Sequence, residues 1–303
     1  MADQLIIALA GATGDIGGRI ARALVARGAT VRALVRPDLP ERDAVRLRQA
    51  GATPVPADPD DVFAMAEAVA GASCVVSALN GVRAVMIGRQ GVLLDASVRA
   101  GVPRSNPSDF AADFTKTRPG HNRNYDLRRE FMARVDAVPI RATSILNGAF
   151  MDMLGAEMPI IRTGIHRVLY WHNADQILDF TTKDDTADYT AAAALDDTAP
   201  RFLRIAGDSV SVRDIAATMS SLAGKRYRPL WAGNLASLGV MIRIAKLIAP
   251  QPDAAFPPWQ GMQYMRDQFA GSARLTPIEN DRYAGLTWTS VREHLSTLKE
   301  HLQ

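Results

Sequence analysis

The stretch Gly11-Ala12-Thr13-Gly14-Asp15-Ile16-Gly17 decides the fold. It follows a continuous apolar run at residues 5–10 and precedes residues 16–26, where apolar side chains recur at helical spacing. Glycines placed in this way let the backbone turn tightly and approach a pyrophosphate, which the free N–H groups and the dipole of the helix attract. Because a strand precedes the turn and a helix follows it, the stretch predicts a dinucleotide site. The alternative is a structural turn with incidental glycines.

The segments around this turn alternate between strands and helices. In the first half, strands are predicted at 5–10, 30–35, 52–55 and 74–79, and helices at 16–26, 41–49, 61–69 and 85–100. Since these strands are apolar on both faces, we expect a Rossmann-type α/β fold, a doubly wound parallel sheet with helices on both faces. The second half is less regular, with predicted helices at 124–135, 185–195, 212–222, 235–248 and from about 290, and strands at 142–146, 168–171, 178–181 and 201–205.

The end of the second strand indicates which dinucleotide is bound. NAD sites usually end this strand with an acidic residue that takes the ribose 2′-hydroxyl, whereas this strand ends Leu34-Val35-Arg36-Pro37. A guanidinium at Arg36 matches a 2′-phosphate, so NADP(H) is the preferred cofactor. NAD(H) stays an alternative because Asp38 is nearby, and Arg36 could also be a solvated charge at a strand end.

The irregular second half predicts a smaller α+β lobe that binds the substrate. We expect residues 1–152 to form the NADP(H)-binding Rossmann domain, with residues 178–205 returning to it. Residues 153–177 and 206–303 would form the substrate-binding lobe. No linker separates two autonomous domains, so the lobe is expected to grow out of the first domain.

Composition narrows the class of protein. The 303 residues are 48% hydrophobic and 22% charged, which excludes disordered and fibrous classes. The net charge is only +3 and the basic residues are dispersed, so no nucleic-acid partner is expected. The single cysteine, Cys74, excludes an internal disulfide and is consistent with a cytoplasmic location. No apolar run reaches the length of a membrane span, so no membrane partner is expected.

Three ordered blocks resemble the NmrA-like and isoflavone-reductase-like group of atypical short-chain dehydrogenases. The first is the glycine turn followed by Val35-Arg36. The second is residues 100–110, which read AGVPRSNPSDF, and the third is residues 141–152, which read RATSILNGAFMD. The resemblance covers residues 5 to about 190. It implies a Rossmann fold and NADP(H) binding, and it covers both reductases and non-catalytic regulators that sense the NADP/NADPH ratio.

The resemblance also implies which residues contact the cofactor. They lie in the glycine turn, at the end of the second and fourth strands, on the helix after the fourth strand and in the second and third blocks. The set is Gly11, Thr13, Gly14, Asp15, Ile16, Gly17, Arg36, Ser77, Ala78, Leu79, Gln90, Pro107, Ser108, Asp109, Phe110 and Asn147. Residues 148–152 would open the substrate pocket.

The sequence departs from the family pattern in two places. Ser105 and Asn106 put polar atoms into a strand that the family fills with large apolar residues. Reductases of the group also use a lysine on the helix before the third block, and the family spacing places Arg128 there. An arginine stays protonated, so it cannot serve as a general acid or base at neutral pH. It could still hold an anion or stabilise a developing oxyanion.

The same helix allows a second interpretation. Tyr125 and Arg129 are four residues apart, like the Tyr-x-x-x-Lys pair of ordinary short-chain dehydrogenases. A nearby cation lowers the pKa of a phenol and would make it a better proton shuttle. Tyr125, Arg128 and Arg129 are therefore the candidate catalytic residues. The alternative is that Tyr125 is a partly buried helix-start residue and that both arginines are solvated.

Together these features predict an enzyme that transfers hydride from NADPH to a small substrate, aromatic or quinone-like. The alternative, favoured by the missing lysine, is a non-catalytic NADP(H) sensor that acts through a protein partner. The five histidines lack metal-ligand spacing, so no metal site is expected. The oligomeric state, monomer or homodimer, is left open. A pocket, the core or an oligomer contact could each explain the large side chains at Trp231, Met241, Trp259, Met262, Tyr264, Met265 and Phe269.

Overall fold

Six parallel strands carry the first half of the chain in the computed structural model, which describes residues 5–155 and 160–298. A π-helical segment, Ala84–Arg89, leads directly into α4. The elements of this half are β1 (Ile6–Ala10), α1 (Asp15–Ala26), β2 (Thr30–Val35), α2 (Glu41–Gln49), β3 (Ala52–Pro56), α3 (Val62–Val69), β4 (Cys74–Ser77), α4 (Gln90–Arg99), β5 (Arg104–Asn106), α5 (Arg123–Asp136) and β6 (Arg141–Ala142). The strand order is β3-β2-β1-β4-β5-β6, which confirms the predicted Rossmann-type sheet.

The sheet is covered on both faces because its central strands are apolar on both sides. Ile7 and Leu9 of β1 pack in a core that includes side chains of α1. Ala8 and Ala10, which alternate with them, pack in a second core with α3 and α4. The two faces of one strand therefore fill two hydrophobic layers, as the period of two requires.

The second half adds short strands and longer helices. Its elements are β7 (Ser144–Leu146), β8 (Ala149–Phe150), β9 (Ile161–Arg162), β10 (Arg167–Trp171), β11 (Leu178–Thr181), α6 (Lys183–Leu195), β12 (Phe202–Arg204), β13 (Asp208–Val210), α7 (Val212–Ala223), β14 (Arg228–Gly233), α8 (Leu235–Ile248), α9 (Pro258–Phe269) and α10 (Val291–Leu298). They form two three-stranded sheets, β14-β10-β9 and β13-β11-β8, and the parallel pair β12-β7.

The predicted strand at 142–146 is divided between two sheets. Ala142 ends β6 of the six-stranded sheet, and the chain passes through Thr143 into β7, which pairs with β12. Helix α6 packs along α1, and its alanines share a core with β1 and β12. The assignment of residues to two domains stays a prediction. Residues 1–4 of the expected Rossmann domain, and 156–159 and 299–303 of the expected lobe, lie outside the described residues.

The polar residues Ser105 and Asn106 of β5 are buried, as the departure from the family pattern predicted. Asn106 Oδ1 accepts a hydrogen bond from Cys74 Sγ at 3.3 Å. Cys74 is fully buried in β4, and this burial raises the pKa of its thiol to about 12. The prediction that Cys74 is a core residue of the fourth strand is confirmed. In the described part of the chain, no helix has the length and apolarity needed to cross a membrane.

Candidate cofactor and substrate cleft

Two glycines of the turn between β1 and α1 stand where a side chain has no room. Gly11 has a φ of 83°, and a Cβ there would lie 2.7 Å from the carbonyl oxygen of Ala78. A Cβ at Gly17 would lie 2.0 Å from the carbonyl oxygen of Gly11. At Gly14 the helix begins without a side-chain cap, which leaves its first N–H groups for a ligand. A dinucleotide pyrophosphate fits these features, because it needs close backbone approach and unpaired donors.

An ion-pair network joins this turn to the opposite side of the cleft. Asp15 accepts hydrogen bonds from Lys183 Nζ at 2.7 Å and from Arg19 Nε at 2.9 Å, and these two bonds lower the pKa of its carboxyl. Lys183 Nζ also lies 2.7 Å from Asp152 Oδ2. Burial acts to lower the pKa of Lys183, but its bonds to the two carboxylates raise it. Lys183 is not among the site residues predicted from the sequence. Its position just after the carboxyl end of β11 is the feature that could have indicated it.

Two guanidinium groups stand near the adenosine end expected for a dinucleotide. Arg36 follows β2 and is largely exposed, with its Nε 3.6 Å from Asp38 Oδ1. Arg46 of α2 donates from Nη2 to the carbonyl oxygen of Thr13 in the glycine turn at 3.0 Å. The sequence analysis missed Arg46 because α2 carries several surface charges and only the tertiary structure brings this one to the turn. Arg36 and Arg46 could both reach a 2′-phosphate.

A cleft of about 490 Å³ begins at the glycine turn and extends toward α5 and α9. One end is backbone and charged groups, whereas the other is mostly aromatic and apolar. The lining residues are Gly14, Asp15, Ile16, Ala78, Asn80, Phe110, Ala111, Ala112, Tyr125, Arg128, Gly148, Ala149, Phe150, Asp152, Met153, Lys183, Phe256, Tyr264, Met265 and Gln268.

Eleven of the sixteen predicted cofactor residues fall into two groups; the other five lie in the glycine turn or just after β2 and β4 and do not line the cleft: Gly11, Thr13, Gly17, Arg36 and Leu79. Gly14, Asp15, Ile16, Ala78 and Phe110 line the cleft. A second group lies buried outside the lining: Ser77, Gln90, Pro107, Ser108, Asp109 and Asn147. Within it, the Ser108 N–H donates to Gln90 Oε1 at 2.8 Å, and Gln90 Nε2 donates to the carbonyl oxygen of Met86. Gln90 therefore holds the 107–110 loop against α4, and contact between the second group and the cofactor stays a prediction.

Several buried polar atoms near the cleft have no hydrogen-bond partner. Of twelve such side-chain atoms among the described residues, six lie at or after the ends of strands of the first half or β7, or on α5: Ser77 Oγ, Asn106 Nδ2, Asp109 Oδ1, Arg128 Nε and both polar atoms of the Asn147 side chain. The other six lie elsewhere, on Trp171, Arg201, Gln260, Arg266, Arg274 and His294. Asp109 Oδ2 accepts a hydrogen bond from Ser144 Oγ at 2.6 Å, but burial raises the pKa of the carboxyl. Unpaired buried polar atoms are rare in native proteins, so Arg128 Nε, which belongs to a residue that lines the cleft, is a donor available to a ligand.

Tyr125 and Arg128 reach the cleft from the same helix, α5. The Arg128 side chain is only 8% exposed; its Nη1 donates to the carbonyl oxygen of Asn124 at 3.3 Å, while its Nε has no described partner. The Tyr125 ring meets the Tyr264 ring edge to face, with centroids 5.1 Å apart. Burial, followed by the neighbouring Tyr264 and Asp267, raises the pKa of Tyr125 well above its usual value, against a smaller opposing effect of Arg128.

Arg129, next in the chain, has other partners. Its Nη1 donates to the carbonyl oxygen of Phe114 at 2.6 Å and to Thr117 Oγ1 at 2.8 Å, and its Nη2 pairs with Asp126. The turn at residues 114–117 thus holds this guanidinium, and Arg129 does not line the cleft. The expectation that Arg129 lowers the pKa of Tyr125 is corrected: the pKa is raised, and the cation beside Tyr125 is Arg128.

The large side chains between residues 230 and 270 divide among three environments. Tyr264 and Met265 line the cleft. Trp259 and Phe269 are buried, and Met262 packs on the core of the second half. Trp231 and Met241 are exposed. Pocket and core positions therefore both occur, and an oligomer contact stays a prediction. Within residues 5–155 and 160–298, no group of three His, Cys, Asp or Glu side chains could hold a metal ion.

Comparison with solved structures supports the architecture of the whole chain. The structure of AtPrR2 with NADP+ and (+)pinoresinol superposes with a TM-score of 0.82 at 21% identity, covering 98% of this chain and 99% of that one. An NADPH-dependent quinone oxidoreductase from Escherichia coli superposes with a TM-score of 0.73 at 18% identity, covering 97% and 99%. At these identities the likeness establishes the fold.

Sequence comparison identifies the family. Pinoresinol reductase 1 of Arabidopsis thaliana is 30% identical over 201 residues, which is 61% of this chain, and the match spans 63% of the length of that relative. The profile of the NmrA-like family matches residues 3–231, the greater part of the chain. With its glycine turn, parallel sheet and cleft in place, this chain belongs to the NmrA-like family.

Proposed function

We propose that this protein is an NADPH-dependent reductase of a small aromatic or quinone-like acceptor. One observation carries the proposal: a single cleft contains the glycine turn at one end and Tyr125 with Arg128, against an apolar wall, at the other. A reductase needs this arrangement, because the cofactor and the acceptor must meet within one cavity.

The cofactor end is assigned to the chain's own residues as follows. The pyrophosphate would lie against the turn that Gly11, Gly14 and Gly17 form, whose tight backbone has no room for a Cβ at Gly11 or Gly17. Arg36 and Arg46 would hold the 2′-phosphate, which favours NADP(H) over NAD(H). The similar protein AtPrR2 is described with NADP+, and the similar quinone oxidoreductase as NADPH-dependent, which supports this choice.

The substrate end favours a flat, apolar acceptor that bears an oxygen. Phe110, Phe150, Tyr264 and Met265 supply an apolar wall, and the polar groups beside it are Tyr125 and Arg128. Ligand sites commonly combine such a wall with a few placed polar groups that fix orientation. The names of the similar proteins describe reductases, one of them of quinones.

Bound NADPH supplies the hydride, and the protein supplies position and charge. The guanidinium of Arg128 would stabilise negative charge that develops on the acceptor oxygen. Tyr125, whose raised pKa keeps its phenol neutral, would act as a hydrogen-bond donor to the same oxygen and not as a base. Both groups come from α5, so one helix would set the geometry of the oxyanion site.

The alternative is a non-catalytic regulator of the NmrA type that senses NADP(H) and acts through a protein partner. Arg128 favours it, because this chain has arginine at the position where the resemblance expects a lysine. A guanidinium can hold an anion but does not exchange protons at neutral pH.

NADPH oxidation should be measured with 1,4-naphthoquinone, 1,4-benzoquinone and a series of aromatic aldehydes, with the affinities for NADPH and NADP+ determined in parallel. Turnover with a subset of the acceptors is expected and supports the reductase. Tight but unequal binding of the two cofactor forms, without turnover, would favour the sensor. Absence of binding of either form would contradict both proposals.

A further inference from the structure

Helix α8 presents an apolar face to solvent. Its exposed residues include Val240, Met241, Ile244, Leu247 and Ile248, and the last two are 82% and 79% exposed. Leu238 and Ile242, on the opposite side of the helix, are buried. A surface helix ordinarily turns its polar side to water, so an outward apolar stripe over several turns indicates an interaction surface.

The chain around this stripe is basic. Between residues 215 and 252 there are five lysines and arginines and no aspartate or glutamate: Lys225, Arg226, Arg228, Arg243 and Lys246. On α8 itself, Arg243 flanks the stripe, since successive residues turn by about 100° around the axis, whereas Lys246 lies toward the side of buried Ile242.

Neither of the two α8 cations forms an ion pair with a described residue. The one hydrogen bond of the Arg243 side chain runs from Nε to the carbonyl oxygen of Gly239 in its own helix. Lys246 lies over the ring of Trp259. Burial, and then repulsion by Arg266 and Arg123, lowers the pKa of Lys246, against a smaller opposing effect of Asp126.

The apolar stripe leads to the mouth of the cleft. The loop that follows α8 carries Phe256, which is 60% exposed and also lines the cleft. Arg123 of α5 fixes this loop by donating to the carbonyl oxygens of Ala254 and Ala255 at 2.9 and 2.8 Å. Trp259 Nε1 donates to the carbonyl oxygen of Pro250 at 2.9 Å.

We propose that α8 and the loop to Phe256 dock on the surface of an anionic phospholipid bilayer. The apolar stripe enters the boundary between headgroups and acyl chains, and Arg243 at its flank faces the lipid phosphates. A symmetric contact with a second copy fits less well, because it would set the same basic segment against itself. Docking does not depend on the reductase function; only the delivery of an apolar acceptor from the lipid to the cleft rests on the proposed function.

The test is sedimentation of the full chain with vesicles of phosphatidylcholine, with and without phosphatidylserine. We expect binding to the anionic vesicles that weakens in high salt and is much weaker on phosphatidylcholine alone. The double variant Ile244→Glu/Leu247→Glu should reduce binding by at least about tenfold, because it puts two charges into the apolar stripe. Arg243→Glu should remove most of the preference for phosphatidylserine.

Phe63→Glu is the matched control, because Phe63 is 59% exposed but lies on α3. It should bind vesicles like the unchanged protein, and circular dichroism should show that all variants are folded. The proposal is overturned if the unchanged protein does not bind, or if Ile244→Glu/Leu247→Glu binds equally well. It is also overturned if that double variant only dissociates a dimer in analytical ultracentrifugation, which would assign the stripe to a second copy.

Discussion

The two ends of the cleft are built in different ways. At the glycine turn the wall is main chain with charged side chains beside it, and a Cβ at Gly11 or Gly17 would overlap backbone atoms. At the other end the wall is side chains from α5 and α9, with the 148–153 segment and the loop at Phe256. Steric exclusion therefore defines the first end, and the chemistry of individual side chains defines the second. We therefore expect variants of the two ends to behave differently.

The largest expected effect is at the glycine turn. Gly17→Ala should weaken NADPH binding by more than about 100-fold, or prevent folding, because the new Cβ would lie 2.0 Å from the carbonyl oxygen of Gly11. Gly18→Ala is the control, since its Cβ would meet nothing closer than 3.4 Å. It should keep NADPH affinity and add up to about 1 kcal/mol of stability. NADPH affinity is measured by fluorescence titration. If the two variants bound NADPH equally well, steric exclusion would not define the glycine-turn end of the cleft.

The next effect is at the substrate end and should leave cofactor binding unchanged. Arg128→Met and Tyr125→Phe should each lower turnover about 100-fold, because each removes a donor to the developing oxyanion. Arg134→Met is the control: Arg134 is on the same helix and pairs with Asp95 outside the cleft. The readouts are kcat with the best quinone and the Kd of NADPH. Turnover that is unaffected in Arg128→Met would show that this end is not an oxyanion site.

The smallest effect is at the adenosine side, where charge and not shape provides the selectivity. Arg36→Ala and Arg46→Ala should each weaken NADPH binding about tenfold and leave NADH binding nearly unchanged, because only the 2′-phosphate is lost as a partner. Arg42→Ala, which removes the same charge from an 86% exposed position on α2, should change neither affinity. If NADH binding weakens as much as NADPH binding in the Arg36 and Arg46 variants, these two guanidinium groups do not select the 2′-phosphate.

The helix ends that could be predicted from the sequence follow from the residue types at those ends. Asp61 caps α3, Ser211 begins α7 with a reciprocal cap, and Gly224 ends it, all as the residue types indicate. Helix α8 runs over the predicted residues 235–248. The resemblance placed Arg128 beside the cleft, because a residue at a fixed spacing along a helix lies on the same face of that helix. These features depend on neighbours in the chain, or on a pattern shared with relatives.

Most features of the site that could not be predicted from the sequence depend on contacts between segments that are distant in the chain. Lys183 and Asp15 are 168 residues apart, yet they form one of the main ion pairs of the cleft. Arg129 has the spacing of a catalytic partner but is held by the 114–117 turn. Helix α9 was missed because Pro258 reads as part of a proline-rich loop, although proline is well suited to the first turn of a helix. The sequence also does not tell which apolar face of α8 packs inward.

The burial of Cys74 has a consequence for chemical durability. Quinones are electrophiles that add to thiolates, and this is the one thiol of the chain. With a pKa of about 12 and no exposure, it is almost never a thiolate and cannot meet a reagent while the protein is folded. The folded chain should therefore not be alkylated or oxidised at its thiol. Because the native thiol is unreactive in the folded chain, a cysteine introduced at the surface could be labelled with a single probe.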